Sequence, residues 1–527
     1  MTKSSHHQPG RGQILAKSYD FIVCGSGSSG SVVASRLAEN PKVSVLLVEA
    51  GGDDDHPEVL DPGKWTANLG SARDWNFEAE PSREVNGRVL PMGMGKVLGG
   101  GSSINAMTWA RGHQSDWDFM ALEAGDRGWN YESVVSLYHR IEDFQGTPDA
   151  GIRGTGGPMF VEAPTGSSPL VTAVLDGARS TGIPVFDSPN GRMMEGPGGA
   201  STIEKIVRDG RRQSVFRSYV IPGSNKPNLT ILSQALVARL TIDGRRVTGI
   251  ELVQGDGVHR IRAGSEVILS LGAINTPRVL MLSGIGDEAE LGRLGIPVVQ
   301  HLAGVGRNLQ DHVGFSCIWE YRDRPEIHNK ITEATIYWKS HPALSAPDMF
   351  VCQLEIPFAS RENMARYQIP AEAWTLHGAV SRPRSTGQIR LTGTHPLDPI
   401  RIEANFLSHP DDMKVAVACV ELCREIGNSA PLRPFVKREV MPGDLTGKTL
   451  EEFIRNDALT YFHQTCTAKM GQDAWSVVDG NLRVYGVENL RIADGSILPR
   501  VTTGNTMAPC VVIGERAADL LKARHQL

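Results

Sequence analysis

The sequence predicts a mixed α/β fold in which a parallel sheet is interleaved with a second domain built on an antiparallel sheet. Three observations predict it. A strand–helix–strand pattern opens the chain, apolar strand-like runs return after residue 228, and the region between 313 and 454 has a different, aromatic-rich character with short alternating runs. We predict that the two domains are interleaved because the last segment, after the aromatic-rich region, again has apolar strand-like runs and ends in a helical stretch.

The opening pattern is a βαβ unit. Residues 20–24 form an apolar run, 31–40 carry apolar residues at helical spacing, and 43–48 form a second apolar run. The crossover between two such parallel strands is expected to be right-handed. We further predict a helix over 129–145, strands over 229–232, 235–242, 247–253 and 267–271, and a final helix over 511–524.

Composition excludes several classes of function. The 527 residues carry a net charge of -5, which favours neither a nucleic acid nor an anionic membrane surface as a partner. Seven cysteines are scattered without metal-ligand spacing, so we expect reduced core cysteines and no metal site. The chain shows neither a signal-peptide pattern nor about 20 uninterrupted apolar residues, so we expect a cytoplasmic protein without a transmembrane segment.

A glycine motif follows the first strand. Gly25, Gly27 and Gly30 have the spacing G-x-G-x-x-G between that strand and the helix, and Glu49 ends the second strand. Glycines at this spacing allow a tight turn and a close backbone approach to a pyrophosphate, and an acid here binds ribose hydroxyls. The pattern predicts a Rossmann-like dinucleotide site; the alternative is a glycine-rich turn in an ordinary α/β domain.

Longer motifs carry a resemblance to a known family. The stretch Gly95–Asp118 begins GKVLGGGSSIN, Gly272–Gly286 reads GAINTPRVLMLSGIG, Gly304–His312 reads GVGRNLQDH, and Asp494–Ser496 reads DGS. In this order they resemble the two signatures and later motifs of the glucose–methanol–choline (GMC) oxidoreductases, over residues 19–521. The resemblance implies a flavoprotein with FAD as its cofactor.

The resemblance also implies site residues and domain boundaries. Gly25, Gly27, Ser28, Ser29 and Gly30 would hold the FAD pyrophosphate and Glu49 the adenosine ribose. The remaining implied FAD contacts are Val97, Gly99, Ser103, Asn105, Ala106, Val237, Asp494 and Thr506. We expect a disordered tail (1–18), an FAD-binding domain in three parts (19–155, 206–312, 455–527), and a substrate domain in two (156–205, 313–454).

The cofactor is expected to be bound non-covalently. Some members of the family attach FAD through a histidine just before the first signature. Residues 88–94 contain no histidine, and those nearest in sequence are His56 and His113.

The reacting residues are identified by the same resemblance. His463 lies in the segment YFHQTC at the position of the catalytic base, and Asn505 lies at the second polar position, where other members have His or Asn. This His/Asn pairing resembles that of choline oxidases and choline dehydrogenases more than that of the members with two histidines. A base is needed because an alcohol gives up hydride readily only as its hydroxyl proton leaves. The alternatives are a structural histidine at 463 and a helix N-cap at 505. We treat His312, in a structural motif of the family, as non-catalytic.

The predicted function is oxidation of a primary alcohol to the aldehyde, with hydride transfer to the flavin and reoxidation by O2 or another acceptor. The aromatic-rich domain and the lack of a dense acidic cluster favour a neutral or aromatic alcohol. Two alternatives are a lyase or decarboxylase of the same fold and a non-catalytic flavin-binding protein. The His463/Asn505 pair argues against both.

Overall fold

The structure, a computed structural model, describes residues 16–147, 151–163, 167–325 and 333–527. Residues 1–15 of the predicted N-terminal tail lie outside the described residues, and the first strand begins at Ser18, the last residue assigned to that tail.

The α-helices, in chain order, are α1 (Ser28–Leu37), α2 (Pro57–Leu60), α3 (Gln114–Ala124), α4 (Tyr131–Ile141), α5 (Pro169–Ser180), α6 (Gly272–Leu282), α7 (Glu288–Arg293), α8 (Arg361–Arg366), α9 (Pro410–Gly427), α10 (Gly447–Asp457) and α11 (Met507–His525). None of the helices in the described ranges is long and apolar enough to cross a membrane.

The strands, in chain order, are β1 (Ser18–Cys24), β2 (Val45–Val48), β3 (Glu142–Gln145), β4 (Met159–Glu162), β5 (Gly199–Thr202), β6 (Val207–Arg208), β7 (Arg211–Arg212), β8 (Leu229–Leu232), β9 (Leu236–Asp243), β10 (Arg246–Gln254), β11 (Gly257–Leu269), β12 (Ile285–Gly286), β13 (Gln300–His301), β14 (Arg307–Leu309), β15 (Val313–Tyr321), β16 (Ala334–Trp338), β17 (Met349–Leu354), β18 (Ala373–Val380), β19 (Gly387–Leu391), β20 (Ile400–Glu403), β21 (Val436–Met441), β22 (Leu459–Thr460) and β23 (Leu490–Ile492).

The first large sheet has the order β8-β2-β1-β11-β10-β9, with β23 also beside β11. Strands β8, β2, β1, β11 and β23 are parallel, and β9 and β10 extend β11 as antiparallel hairpins. This confirms the predicted parallel sheet with a hairpin-rich extension. The segments 21–24, 45–48 and 267–269 of its inner strands are apolar and buried, as expected for a sheet covered on both faces.

The second large sheet is antiparallel and has the order β21-β15-β18-β17-β16-β5, with β22 also beside β15. Opposite residues pair directly across it, for example Cys317 with Leu376 and Cys352 with His377. Strand β5 comes from a segment far earlier in the chain than β15–β18 and β21. The predicted fold class, a parallel sheet interleaved with an antiparallel one, is therefore confirmed.

One predicted helix is too long. Helix α4 ends at Ile141, and residues 142–145 form β3, which pairs with β4. Glu142 ends the helix because its fully buried carboxylate accepts hydrogen bonds from Trp109 Nε1 (2.7 Å) and from the guanidinium groups of Arg111 and Arg153. Tertiary contacts, which helical periodicity does not encode, thus override it here.

Candidate active site

Two backbone turns meet where β1, β11 and α1 converge. Gly25 has a φ of +97° and its missing Cβ would lie 2.2 Å from the carbonyl oxygen of Ser270, just after β11. A Cβ on Gly30 would lie 1.9 Å from the carbonyl oxygen of Gly25. Only glycine allows these approaches, so the first and third glycines of the motif allow the backbone after β1 to pack closely against α1 and the end of β11.

The second glycine faces the cavity. Gly27 is the N-cap of α1, and among the described residues no side chain caps this helix and no heavy atom lies within 4 Å of the Cβ that Gly27 lacks. Gly25, Gly27, Ser28 and Ser29 form one wall of a large cavity. A helix N-terminus without a side-chain cap offers its N–H groups to an anion, as a pyrophosphate requires.

Glu49 lies at the end of β2 in the same wall. Its carboxylate accepts hydrogen bonds from the N–H and Oγ of Ser26 (3.0 and 2.8 Å) and from the N–H of Gly51 (2.8 Å). Burial raises its pKa despite these donors. The carboxylate therefore links the glycine turn to the end of β2, while part of the Glu49 side chain lines the cavity.

A second glycine-rich turn packs against the first. The Cβ that Gly100 lacks would lie 2.8 Å from the Cα of Gly27, and that of Gly95 would lie 2.3 Å from the backbone of Gly100. Asn105 and Ala106 lie in the cavity wall, whereas Val97, Gly99, Ser103 and Gly30 lie behind it. These four support the turns: Ser103 Oγ, for example, donates to the carbonyl oxygen of Leu98 (2.7 Å).

The remaining predicted cofactor residues also reach the cavity. Val237, Asp494 and Thr506 lie in its wall. The Asp494 carboxylate accepts from the N–H of Gly272 (2.9 Å) and the hydroxyl of Thr276 (2.6 Å), and burial raises its pKa. The glycine turns, the uncapped helix and this elongated set of walls fit a dinucleotide cofactor such as FAD.

His463 and Asn505 lie together at the other end of this cavity. Asn505 Nδ2 is 3.1 Å from His463 Nε2. The N-cap of α11 is Thr506, without a side-chain cap among the described residues, so the N-cap alternative for Asn505 is wrong. The Asn505 side chain instead contacts His463, because the turn before α11 directs it towards the YFHQTC segment.

His312, which we treated as non-catalytic, contacts His463 directly. The two Nδ1 atoms are 2.9 Å apart and the rings are nearly perpendicular. The neighbouring Asp311 accepts a hydrogen bond from the N–H of His463 (2.9 Å), so the motif that ends in His312 holds both the ring and the backbone of His463. Sequence reasoning missed this contact because 150 residues separate the two motifs.

The contacts of His463 determine which of its nitrogens carries a proton. The Asn505 amide nitrogen Nδ2 can only donate, so His463 Nε2 accepts from it and the proton of a neutral His463 is on Nδ1. Nδ1 of His463 then donates to Nδ1 of His312, whose own proton is on Nε2. The lone pair of His463 is then on Nε2, beside Asn505.

Burial keeps both histidines neutral. It lowers the pKa of His312 to about 4, and it lowers the pKa of His463 well below its usual value, with a further contribution from His312. A neutral imidazole with its lone pair on Nε2 can accept a proton at neutral pH. The arrangement can therefore act as a general base.

The rest of this end is apolar and aromatic. Its wall includes Leu354, Ile356, Phe358, His377 and Tyr461. Alternate residues of β17 face the cavity, a period-two pattern that could have been read from the sequence had the facing side been known. His377 and Tyr461 were not predicted, because nothing in their local sequence distinguishes them from core residues.

No cluster of metal-binding side chains occurs in the part of the chain that the structure describes. The seven cysteines are all free thiols, six of them buried.

Comparisons with known proteins identify the family. Family models described as GMC oxidoreductase match residues 19–314 (the N-terminal model) and 383–514 (the C-terminal model). Human mitochondrial choline dehydrogenase is 35% identical over 97% of this chain and 90% of its own, and an oxygen-dependent choline dehydrogenase of Brucella anthropi is 34% identical over 96% of each chain.

The solved structures agree. Pyridoxine 4-oxidase from Mesorbium loti superimposes with a TM-score of 0.91 and 30% identity, over 97% of this chain and 99% of that one. The chain belongs to the GMC oxidoreductase family and is an FAD-dependent oxidoreductase that acts on CH–OH groups.

Proposed function

We propose that this enzyme oxidises a primary alcohol to the aldehyde, with His463 Nε2 as the base for the hydroxyl proton and Asn505 as the residue that orients the oxygen. The observation that carries this is the 3.1 Å contact between Asn505 Nδ2 and His463 Nε2 in the cavity that also contains the glycine turns. An alcohol oxygen placed beside both atoms can give its proton to one while it accepts a hydrogen bond from the other.

FAD, when bound, supplies the acceptor for the hydride from the carbinol carbon. The residues we assign to it are Gly25, Gly27, Ser28 and Ser29 at the pyrophosphate, Glu49 at the ribose, and Val97, Gly99, Ser103, Asn105, Ala106, Val237, Asp494 and Thr506 along the rest of its length, with Val97, Gly99, Ser103 and Gly30 acting through the turns they support. O2 or another acceptor then reoxidises the enzyme.

We also propose that FAD is held without a covalent bond. His113, one of the two histidines nearest in sequence to residues 88–94, lies outside the cavity wall, where its Nε2 contacts the carbonyl oxygen of Gly196 (2.8 Å). Acid precipitation should therefore leave FAD in the supernatant. Flavin that sediments with the chain would overturn this part of the proposal.

The test of the base is His463→Ala, followed by anaerobic stopped-flow bleaching of the flavin with a panel of primary alcohols. We expect a folded, yellow protein that reduces its flavin about 10²–10⁴-fold more slowly, the usual contribution of a positioned base. His259→Ala, at an exposed histidine, is the matched control and should reduce its flavin at the wild-type rate.

Two results would contradict the proposal. Reduction of the His463→Ala flavin within a few-fold of wild type would show that the base is elsewhere. Conversion of substrate by wild type with no bleaching under argon would favour the lyase or decarboxylase alternative.

A further inference from the structure

We propose that the substrate is a neutral aromatic primary alcohol that packs against the rings beside His463, and that this pocket discriminates against cationic alcohols such as choline. The inference deepens the proposed function and rests on it. It concerns the end of the cavity that the dinucleotide does not use.

The apolar side of this pocket comes from the antiparallel sheet. Strand β17 contributes Cys352 and Leu354, and the chain continues through Ile356 to Phe358, all in the cavity wall. Every second side chain of this segment therefore faces the cavity. None of the four carries a charge, so they can contribute only apolar contact.

Stacked rings form the other side. Tyr461 stacks on His377 with centroids 4.5 Å apart and planes 27° apart, and Phe358 meets His377 edge-on at 4.9 Å. Both rings of the stack lie over Gly314: a Cβ there would be 2.5 Å from the Tyr461 ring and 2.6 Å from His377 Nε2. The glycine thus makes room for this stack, and a flat aromatic ring can pack its face against the ring edges of the stack.

The charges of the cavity lie elsewhere. The carboxylates in its wall are Glu49 and Asp494, which we assign to the dinucleotide, and both are held there by backbone N–H groups. The cation in the wall is Arg278. His377 is neutral, because burial lowers its pKa to about 3. The described part of the wall accordingly has no carboxylate besides these two. Asp311, which accepts a hydrogen bond from the N–H of His463, lies outside the wall.

Two carboxylates that flank strands of the antiparallel sheet do not provide an anionic partner for a cation in this pocket. Glu333 and Glu355 are buried and lie outside the cavity wall. Glu333 is 4.0 Å from Lys205 Nζ, and Glu355 accepts a hydrogen bond from Ser168 Oγ. Their negative charge is therefore directed towards protein partners.

A quaternary ammonium in this pocket would lose its hydration without gaining an anionic partner, which is unfavourable. A cation could still contact an aromatic face. Tyr461, however, already stacks on His377 and on His463, the latter at 5.7 Å, so its faces are largely covered. An uncharged ring encounters none of these costs.

The experiment compares choline with 3,3-dimethylbutan-1-ol, which has the same shape without the charge, on the FAD-loaded wild-type enzyme. We expect kcat/KM for flavin reduction to be about 100-fold or more lower for choline, the size of discrimination expected when a pocket leaves a polar group unpaired. A value for choline equal to or above that of its neutral isostere would overturn the proposal.

The aromatic preference must be tested with ligands that cannot be oxidised, because a benzylic C–H bond is intrinsically easier to oxidise than an aliphatic one. Benzamide should bind the oxidised enzyme more tightly than cyclohexanecarboxamide, measured by the flavin absorbance shift. Equal or reversed affinities would overturn the aromatic part.

Leu354→Glu, with Leu354→Gln as its matched neutral control, tests the location. The ratio of kcat/KM for choline to kcat/KM for its neutral isostere should be about tenfold or more higher in the Leu354→Glu variant than in Leu354→Gln. Both variants should keep FAD. An unchanged ratio in a yellow Leu354→Glu variant would place the substrate away from β17 and overturn the proposal. Failure of every alcohol to reduce wild-type flavin would instead refute the proposed function.

Discussion

At the dinucleotide end of the cavity, backbone atoms of glycine-rich turns form the wall, whereas at the reacting end side chains from distant segments form it. The first end is lined from two continuous stretches, residues 25–29 and 95–106. The second combines His377, His463 and Asn505, with His312 behind His463, brought together by the two large sheets and the turn before α11.

This difference predicts different kinds of sensitivity. Where backbone touches backbone, one added carbon has no space and the whole fold is affected. Where side chains touch, a substitution removes one function and leaves the packing of the main chain in place. The two ends can therefore be separated by experiments that measure folding, cofactor affinity and rate independently.

The largest effect is expected for Gly30→Ala. Its Cβ would lie 1.9 Å from the carbonyl oxygen of Gly25, so α1 cannot keep its position against β1. We expect little or no folded, FAD-loaded protein, judged by flavin absorbance and thermal unfolding.

Gly27→Ala is the matched control in the same turn. Its Cβ meets no heavy atom of the described residues within 4 Å, so this variant should fold. It should bind FAD more weakly, because the methyl group projects into the space assigned to the pyrophosphate. A Gly30→Ala enzyme as yellow and stable as Gly27→Ala would contradict the backbone argument.

The next effect concerns Glu49→Gln. The carboxylate accepts three hydrogen bonds from Ser26 and Gly51, and hydrogen bonds to a charged group are worth about 1.5–3 kcal/mol. We expect the FAD dissociation constant of the apoprotein to rise about 10–100-fold, measured by quenching of FAD fluorescence. Glu488→Gln, at an exposed carboxylate paired with Arg246, should leave it unchanged. Equal constants in the two variants would show that Glu49 does not contribute to the site.

At the reacting end, His312→Asn should slow flavin reduction with little change in KM. The variant removes the acceptor that places the His463 proton on Nδ1, and coupling within one hydrogen-bond network is about 0.5–3 kcal/mol, or roughly tenfold in rate. Stopped-flow reduction over a range of alcohol concentrations separates rate from binding. A change confined to KM would mean that His312 contacts the substrate and does not position the base.

The smallest effect is a shift of a pH profile. Because burial and His312 lower the pKa of His463, the wild-type rate should rise from acid pH and level off below the ordinary histidine pKa of about 6.5. In His312→Asn one lowering contribution is lost, so the inflection should move to higher pH. Burial raises the pKa of Asp311 to about 7, and the Asp311 carboxyl group accepts a hydrogen bond from the N–H of His463. The acid inflection should therefore persist in Asp311→Asn, and its loss there would assign it to Asp311.

The domain boundaries and the cellular location remain predictions from the sequence. The division into FAD-binding and substrate segments at 155, 205, 312 and 454 stays a prediction. Three strand pairs cross it: β3 with β4, β14 with β19, and β22 with β15. The cytoplasmic location is likewise a prediction from the sequence.

The amino-acid sequence by itself determined the dinucleotide end, because that end depends on local motifs. Gly25, Gly27, Gly30 and Glu49 belong to one βαβ unit whose geometry follows from the spacing of apolar residues and glycines. It also predicted His463 and Asn505 as the reacting residues, through motifs that resemble those of a family.

Only the tertiary structure decided what surrounds His463. The contact with His312, the stack of His377 on Tyr461 and the extent of α4 all depend on residues far apart in the chain. Periodicity shows which residues are buried, but two buried residues become neighbours only when sheets pack and strands take their register. The proton position on His463 and the neutrality of the pocket are therefore properties of the assembled fold.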